Sequence, residues 1–148
     1  MKRLNDPEVR GEIRARIERL APDSARRFGK MTVGQMLCHL SDQLRDVAGI
    51  RPVPGKRSFF MERAAKPVAF YLLPRWPGGF LPTAPEFDAM RAGTKPSAFL
   101  QDKEELLALF DSLTISEGEH PAFGPLSARE YGRLLYKHFD HHLRQFGV

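Results

Sequence analysis

The stretch SAREYGRLLYKHFDHHLRQFG, residues 127–147, predicts a long amphipathic helix. Ser127 followed by Glu130 fits the S-x-x-E capping box, which is a signature of a helix N-terminus. Gly147 is typical of a helix C-terminus, because glycine adopts the left-handed conformation there at little cost. Between these two ends, three of the chain's five histidines fall within five positions. The segment therefore combines a helix with a concentration of side chains that can bind metal.

Three further segments have the apolar periodicity of amphipathic helices. They cover residues 5–20, 31–49 and 97–114. Their start signals, in the same order, are Asn5 or Asp6 before Pro7, then Thr32, then Ser97. Together with the last segment they predict four long helices packed around one core.

Two segments interrupt this pattern. Residues 58–73 predict an extra short helix, which Pro67 should kink or split. Residues 74–96 contain five prolines and three glycines and predict a long loop, of the kind that often serves as a lid. Four of its side chains could cover a groove: Trp76, Phe80, Leu81 and Phe87. No strand pair is expected, so the predicted fold is all-α, a four-helix bundle in one domain over residues 1–148.

The composition sets broad limits on function. The net charge of +5 and the pI of about 9.7 favour anionic partners without choosing among nucleic acid, phosphorylated metabolites and acidic membranes. Cys38 is the single cysteine, so an internal disulfide is excluded and a cytoplasmic location is expected. The N-terminal residues do not resemble a signal peptide. The longest apolar run, residues 67–74, is far shorter than the ~20 residues of a spanning helix.

The spacing of the C-terminal histidines favours one pair as metal ligands. A helix turns about 100° per residue, so His142 lies roughly 40° to one side of His138 and His141 roughly 60° to the other. A pair at i and i+4 can direct two imidazoles at one ion. A third ligand is needed, and His39, in the middle of the second helix, is the best candidate. His120, in a loop, and His141 are the alternatives.

Neighbouring residues suggest how such a site could be supported. Asp42 and Gln43, three and four residues after His39, could orient its ring or hold water. Tyr131 shares the histidine face of the last helix and could donate a proton, although a tyrosine packed in the core fits the sequence as well. The histidines could also be ordinary surface residues that complement the helix dipole.

Two segments of the chain carry a resemblance to a known family. MTVGQMLCHLSDQLRD (residues 31–46) and EHPAFGPLSAREYGRLLYKHFDHHLRQFG (residues 119–147) resemble the DinB/YfiT-like superfamily of inferred metalloenzymes, in a bacterial branch without assigned function. They cover about a third of the chain. The combination of H-P-x-F-G-x-L with K-H-x-D-H-H-L-x-Q-F-G is its most specific part.

The resemblance implies a fold, a site and a range of activities. The fold would be an up-down-down-up four-helix bundle, and members of the family are often homodimers. The family's metal site takes one histidine from the second helix and an HxxxH pair from the last, a pattern that falls on His39, His138 and His142. His141 would then be a neighbour of the ligands. Zinc or nickel is typical, and some members use a low-molecular-weight thiol as cosubstrate.

Three classes of function follow as hypotheses. The first is a metal-dependent transferase or hydrolase acting on a small molecule, whose anionic groups Arg45, Arg75 or Arg144 could hold. The second is a bundle without catalytic activity, so the sequence leaves open whether the protein is an enzyme. The third is a basic module that binds anions or nucleic acid through the arginine-rich first helix. No nucleic-acid recognition motif is present, and neither nucleic acid nor a membrane is the expected partner.

Overall fold

The computed structural model describes residues 1–54, 63, 65–77 and 85–148. Within these ranges the chain is mostly helical, with a small two-stranded sheet. The elements are α1 (Pro7–Glu18), α2 (Val33–Val47), a π-helix (Val68–Leu72), a 3-10 helix (Pro85–Phe87), α3 (Phe99–Ser112), β1 (Gly118–His120), β2 (Gly124–Leu126) and α4 (Ala128–Gln145). In the described ranges, every helix is too short or too polar to span a lipid bilayer.

The capping signals place the starts of α2 and α4 where the sequence predicts them. The Thr32 hydroxyl accepts a hydrogen bond from the backbone N–H of Gln35, whose side chain accepts one from the Thr32 N–H in return. Ser127 and Glu130 form the same reciprocal pair at the start of α4. Both boxes satisfy backbone donors that a helix N-terminus otherwise leaves without partners.

We expect the Ser127→Ala variant to lower the free energy of unfolding by about 1 kcal/mol, since it removes the acceptor for a backbone N–H at the helix start. Urea denaturation followed by circular dichroism measures the change. Ser116→Ala is the matched control, because Ser116 is exposed and makes no hydrogen bond with the described residues. Equal stabilities of the two variants would contradict a stabilising role for the cap.

The other predicted starts differ in detail. α1 begins at Pro7 after Asp6, as expected, but the Asp6 side chain makes no capping hydrogen bond. The expectation that Ser97 caps α3 is wrong, because Ala98 occupies the cap position. The Ser97 hydroxyl instead donates to the carboxylate of Asp102, at 2.8 Å. This bond holds Ser97 one residue before the cap.

The expectation of an all-α chain without a strand pair is wrong at residues 118–126. β1 and β2 form an antiparallel hairpin that pairs Gly118 with Leu126 and His120 with Gly124. Gly124 has a φ of 67°, in the left-handed region that glycine adopts without strain. Each strand has three residues. Strands this short do not produce the alternating pattern by which a sequence reveals a strand.

The middle of the chain is described in part. Within the predicted helix over residues 58–73, the described part holds the π-helix Val68–Leu72, which starts directly after Pro67. In the predicted loop, Trp76 and Phe87 are buried, in accord with a covering role. The other two residues assigned that role, Phe80 and Leu81, lie outside the described residues.

Two apolar clusters hold the described elements together. The larger one joins side chains of α1, α2, α3 and α4, including Ile13, Leu40, Phe110 and Phe139. α1 packs against α3 and α4, while α2 packs against α3. The smaller cluster joins the π-helix, the hairpin and the first half of α4, and it includes the Trp76 side chain. The histidine-bearing turns of α2 and α4 are therefore fixed by packing on several sides.

Candidate metal centre

The structure brings His39 of α2 together with His138 and His142 of α4. Each can offer one ring nitrogen, and the three nitrogens all lie within 4.8 Å of one another. The Nε2 atoms of His39 and His138 are 2.9 Å apart. His39 and His142 are 3% and 8% exposed, and His138 is half-buried. These are the three histidines that the sequence predicts as ligands.

Hydrogen bonds fix the tautomers of two of these rings. The Nδ1 of His39 lies 2.8 Å from the carbonyl oxygen of Phe87. A carbonyl can only accept, so Nδ1 carries the proton and the lone pair of the neutral ring is on Nε2. His142 Nδ1 lies 3.0 Å from Oε1 of Gln145 in the same way. The Gln145 amide is itself oriented, because its Nε2 donates to the carbonyl of Phe28 at 3.0 Å.

Burial keeps the three rings neutral. It is the largest cause that lowers the pKa of His39. It also holds the pKa values of His138 and His142 well below the ordinary value, and the charge that a neighbouring imidazole would carry lowers them further. A divalent metal binds imidazole in its neutral form. The cluster therefore presents unprotonated nitrogens at neutral pH.

The donor set fits a zinc-type ion. Zinc bonds histidine nitrogen at about 2.0–2.1 Å in tetrahedral geometry, which places two donor nitrogens about 3.3 Å apart. The Nε2 atoms of His39 and His138 are 2.9 Å apart, slightly closer than that spacing, and none of the three candidate nitrogens is more than 4.8 Å from another. Hydrogen bonds from the outer ring nitrogens to a carbonyl and an amide are the usual support of histidine ligands. The residues present are thus able to hold a divalent ion.

Two aromatic residues from the predicted loop flank the cluster. The Trp76 ring centroid lies 6.2 Å from that of His138, and the Phe87 ring meets His39 edge to face at 6.5 Å. The Trp76 carbonyl accepts a hydrogen bond from Arg144 at 3.1 Å, which fastens this segment to α4. Such apolar neighbours limit the access of water and strengthen electrostatic interactions inside the site.

The carboxylate of Asp42 supports the surroundings of His39 rather than its ring. It accepts hydrogen bonds from the Thr94 N–H and hydroxyl and from Arg45, all at 2.7 Å, and from Arg51 at 3.3 Å. Its negative charge raises the pKa of His39 and opposes the effect of burial. Asp42 therefore fastens the end of the 74–96 segment to α2. Gln43 is half-buried and makes no hydrogen bond with the described residues.

His141 and Tyr131 lie outside the ligand set. The His141 ring meets His142 edge to face at 5.1 Å, and its Nδ1 is 3.4 Å from the Trp76 carbonyl oxygen. Tyr131 belongs to the smaller apolar cluster, where its hydroxyl donates to the carbonyl of Glu119 at 2.9 Å. Burial raises the pKa of Tyr131 to about 12. Its surroundings are those of a core tyrosine. His141 is a neighbour of the candidate ligands.

His120 is held in the hairpin by its own turn. Its Nδ1 accepts hydrogen bonds from the backbone N–H groups of Ala122 and Phe123, at 3.1 and 3.2 Å. Nδ1 is therefore the unprotonated nitrogen, and burial lowers the pKa of His120 to about 4. This histidine stabilises the turn and is not part of the ligand set.

Cys38 does not join the site, although it precedes His39 in the sequence. The thiol is buried, and burial raises its pKa to about 11. A thiol with so high a pKa is neutral and therefore a poor nucleophile. Cys38 therefore has the surroundings of an inert core residue, as its position beside the apolar stripe of the second helix predicts.

The arginines of α1 make contacts within the protein. The amphipathic pattern of the first helix favours a solvated surface for its arginines, but Arg16 is buried and pairs with Asp140 at 3.0 Å. Arg14 binds Asp111 at 2.9 Å, and Arg10 donates to the Leu113 carbonyl at 2.9 Å. These guanidinium groups are engaged, which leaves little free charge on α1 for a nucleic-acid backbone.

Comparison of the chain with models of protein families, with curated proteins and with solved structures gave no match. The resemblance to the DinB-like superfamily therefore rests on the two segments quoted above. The evidence for the candidate metal centre is the distance between the ring nitrogens of its three histidines, which is independent of that resemblance.

Proposed function

We propose that this protein is a metal-dependent enzyme with the up-down-down-up four-helix bundle of the DinB-like superfamily. His39, His138 and His142 would hold a divalent ion, zinc or nickel. One observation carries the proposal: three neutral imidazoles from two helices converge, with ring nitrogens within 4.8 Å, in a partly buried site. Three protein ligands leave a coordination position open for water or substrate, which is the catalytic rather than the structural arrangement.

The chemistry would be a transfer or hydrolysis on a small molecule. A divalent ion supplies Lewis acidity, which makes a water molecule or a thiol nucleophilic near neutral pH. The chain's own part is to hold the three rings neutral, and to shield them with Trp76 and Phe87. Of the arginines predicted to hold an anionic substrate, Arg45 is bound by Asp42 and Arg144 by Asp140. Arg75 is exposed and makes no polar contact with the described residues.

The remaining expectations belong to the same proposal. The chain length supports a single domain, and the single cysteine supports a cytoplasmic location. The family resemblance supports a bacterial homodimer, with a low-molecular-weight thiol as the cosubstrate of a transferase. We expect the partner to be a small-molecule substrate rather than nucleic acid or a membrane.

The metal content of the purified protein tests the proposal directly. After expression in medium that contains zinc and nickel, we expect about one equivalent of one divalent ion per chain, because three neutral imidazoles are poised to bind it. Inductively coupled plasma mass spectrometry measures the stoichiometry. Removing the ion with a chelator should lower the melting temperature, and adding it back should restore it, since a ligand that binds the folded state stabilises that state.

The same measurement can reject the proposal. Less than a tenth of an equivalent after purification, with no uptake when zinc or nickel is added to the chelated protein, would show that the three histidines do not form a metal site. The chelated protein must retain its helical circular dichroism, so that failure to bind is not a consequence of unfolding.

A further inference from the structure

A surface cavity of about 430 Å³ lies where the N-terminal residues, the segment after the π-helix and α4 meet. Its lining is formed by six residues: Met1, Lys2, Pro74, Arg75, Tyr136 and Lys137. Three of these side chains are cationic and none is acidic. The volume falls within the range of small-molecule sites, about 300–1,000 Å³. A cleft lined by charges of one sign concentrates counter-ions.

Lys137 places a buried ammonium group beside this cavity, and burial lowers its pKa to about 8, so that the group is mostly charged at neutral pH. The residue is 3% exposed, and its ammonium group donates to the carbonyl oxygens of Ala69 at 2.7 Å and Leu73 at 2.5 Å. Within the part of the chain that the structure describes, no carboxylate pairs with it. The free energy of burying a charge is offset poorly by neutral acceptors alone. An anion in the cavity would supply the missing opposite charge.

Arg133 adds a second buried cation one helical turn before Lys137. It is 7% exposed, and its guanidinium lies 4.5 Å from the centre of the Tyr71 ring. The Nε atom is buried without a hydrogen-bond partner, and no described carboxylate pairs with the guanidinium. Like charges at i and i+4 on a helix repel each other. The face of α4 beside the cavity thus carries two buried positive charges that the described residues do not neutralise.

Arg75 and Tyr136 leave polar groups available at the cavity. Arg75 is exposed and makes no polar contact with the described residues. The hydroxyl of Tyr136 has no hydrogen bond among them either. Lys2 pairs with Glu12 and lies 5.9 Å from the centre of the Tyr136 ring. Arg75, Lys137 and Tyr136 therefore line one concave surface. Each carries a hydrogen-bond donor, and the Lys137 ammonium keeps one N–H beyond the two that bind the carbonyls of Ala69 and Leu73.

We propose that this cavity binds a phosphate group, either free inorganic phosphate or the phosphate of a small monoester. Arg75 and Lys137 would bind its oxygens, with Tyr136 as a further donor. A phosphate dianion matches a site with more than one cation better than a single carboxylate does, and arginine binds phosphate through two parallel hydrogen bonds. The site is independent of the proposed metal centre, because none of its residues belongs to the histidine cluster.

The full chain titrated with inorganic phosphate, and separately with glycerol 3-phosphate, tests the site. Isothermal titration calorimetry at low ionic strength should show saturable binding of at least one of them, and the tighter of the two identifies the source of the phosphate. The Arg75→Gln variant should bind about fivefold more weakly, the order expected for one solvent-exposed charge. Lys137→Met should bind more weakly still, provided that circular dichroism shows it folded.

Arg19→Gln is the matched control, because Arg19 is an exposed arginine directly after the C-terminus of α1 and does not line the cavity. Phosphate binding by this variant should stay within twofold of the unmodified protein. Three outcomes would overturn the proposal: no saturable binding of either probe, unchanged binding in Arg75→Gln, or an equal loss in Arg19→Gln. The last would show that the overall charge attracts the anion and that the cavity does not select it.

Discussion

Replacing His138 with alanine should abolish stoichiometric binding of the divalent ion while leaving the fold intact. The variant removes the imidazole whose Nε2 lies 2.9 Å from that of His39 and leaves two of the three ligands. Loss of a group that merely supports a ligand costs about 10–100-fold in metal affinity, so loss of a ligand should exceed the upper end of that range. Competition with a chromophoric chelator measures the affinity, and circular dichroism reports the fold.

His141→Ala is the matched control for this prediction. His141 lies on the same helix, one residue before His142, but it is outside the ligand set. We expect this variant to keep the ion with an affinity within about tenfold of the unmodified protein. Tenfold is the smallest loss of metal affinity expected when a group next to the ligands is removed. If both variants lose the ion equally, the site depends on the shape of α4 rather than on the predicted ligands. If neither does, His138 is not a ligand.

The metal-free protein should lose stability steeply as the pH falls below 6.5. Burial lowers the pKa values of His39, His138 and His142 from the 6.5 of an exposed histidine. Below pH 6.5 the unfolded chain therefore binds protons that the folded chain does not, and the free energy of unfolding falls with decreasing pH. Each histidine contributes at most about 1.4 kcal/mol per pH unit, so these three add up to about 4 kcal/mol per unit. His120 and His141, whose pKa values burial also lowers, add to the same slope.

Urea denaturation in the presence of a chelator, between pH 5 and pH 8, measures this dependence. The free energy of unfolding should be nearly constant above pH 7, where these histidines are mostly neutral in both the folded and the unfolded chain. The His138→Gln variant should have a slope smaller by up to about 1.4 kcal/mol per pH unit, since one titrating group is removed. A free energy of unfolding that does not change from pH 7 to pH 5, or an equal slope in His138→Gln and the unmodified protein, would show that the cluster is not buried in the neutral form.

The sequence predicts the helices of this chain well where local signals set them. The reciprocal caps of Thr32 with Gln35 and of Ser127 with Glu130 are formed by residues three apart, so their pattern is visible in the sequence. The sequence does not reveal the hairpin, because its strands have three residues each. The residue type of Ser97 predicts a cap, but its hydroxyl instead donates a hydrogen bond to the nearby Asp102 carboxylate.

The proximity of the three candidate ligands is predictable in part for the same reason. His138 and His142 share one helix face by spacing alone, whereas the choice of His39 depends on tertiary packing that the spacing does not contain. Gln145 lies three residues after His142, on the same face, and could have been identified as its hydrogen-bond partner. Phe87 could not, since its backbone carbonyl binds His39 from 48 residues away. Every residue has a backbone carbonyl, so the residue type at position 87 does not indicate that its carbonyl binds His39.

The bond between Gln145 and the Phe28 carbonyl has a consequence for mutational tolerance. Gly29 follows Phe28 and has a φ of 77°, and a β-carbon there would collide with Nε2 of Gln145. Displacing that amide would release the Nδ1–H of His142, to which its oxygen is bonded. A substitution at position 29 should therefore impair the ion site without touching any histidine. Effects of mutations at positions 29, 145 and 142 should be epistatic, because all three act on one hydrogen-bonded chain of groups.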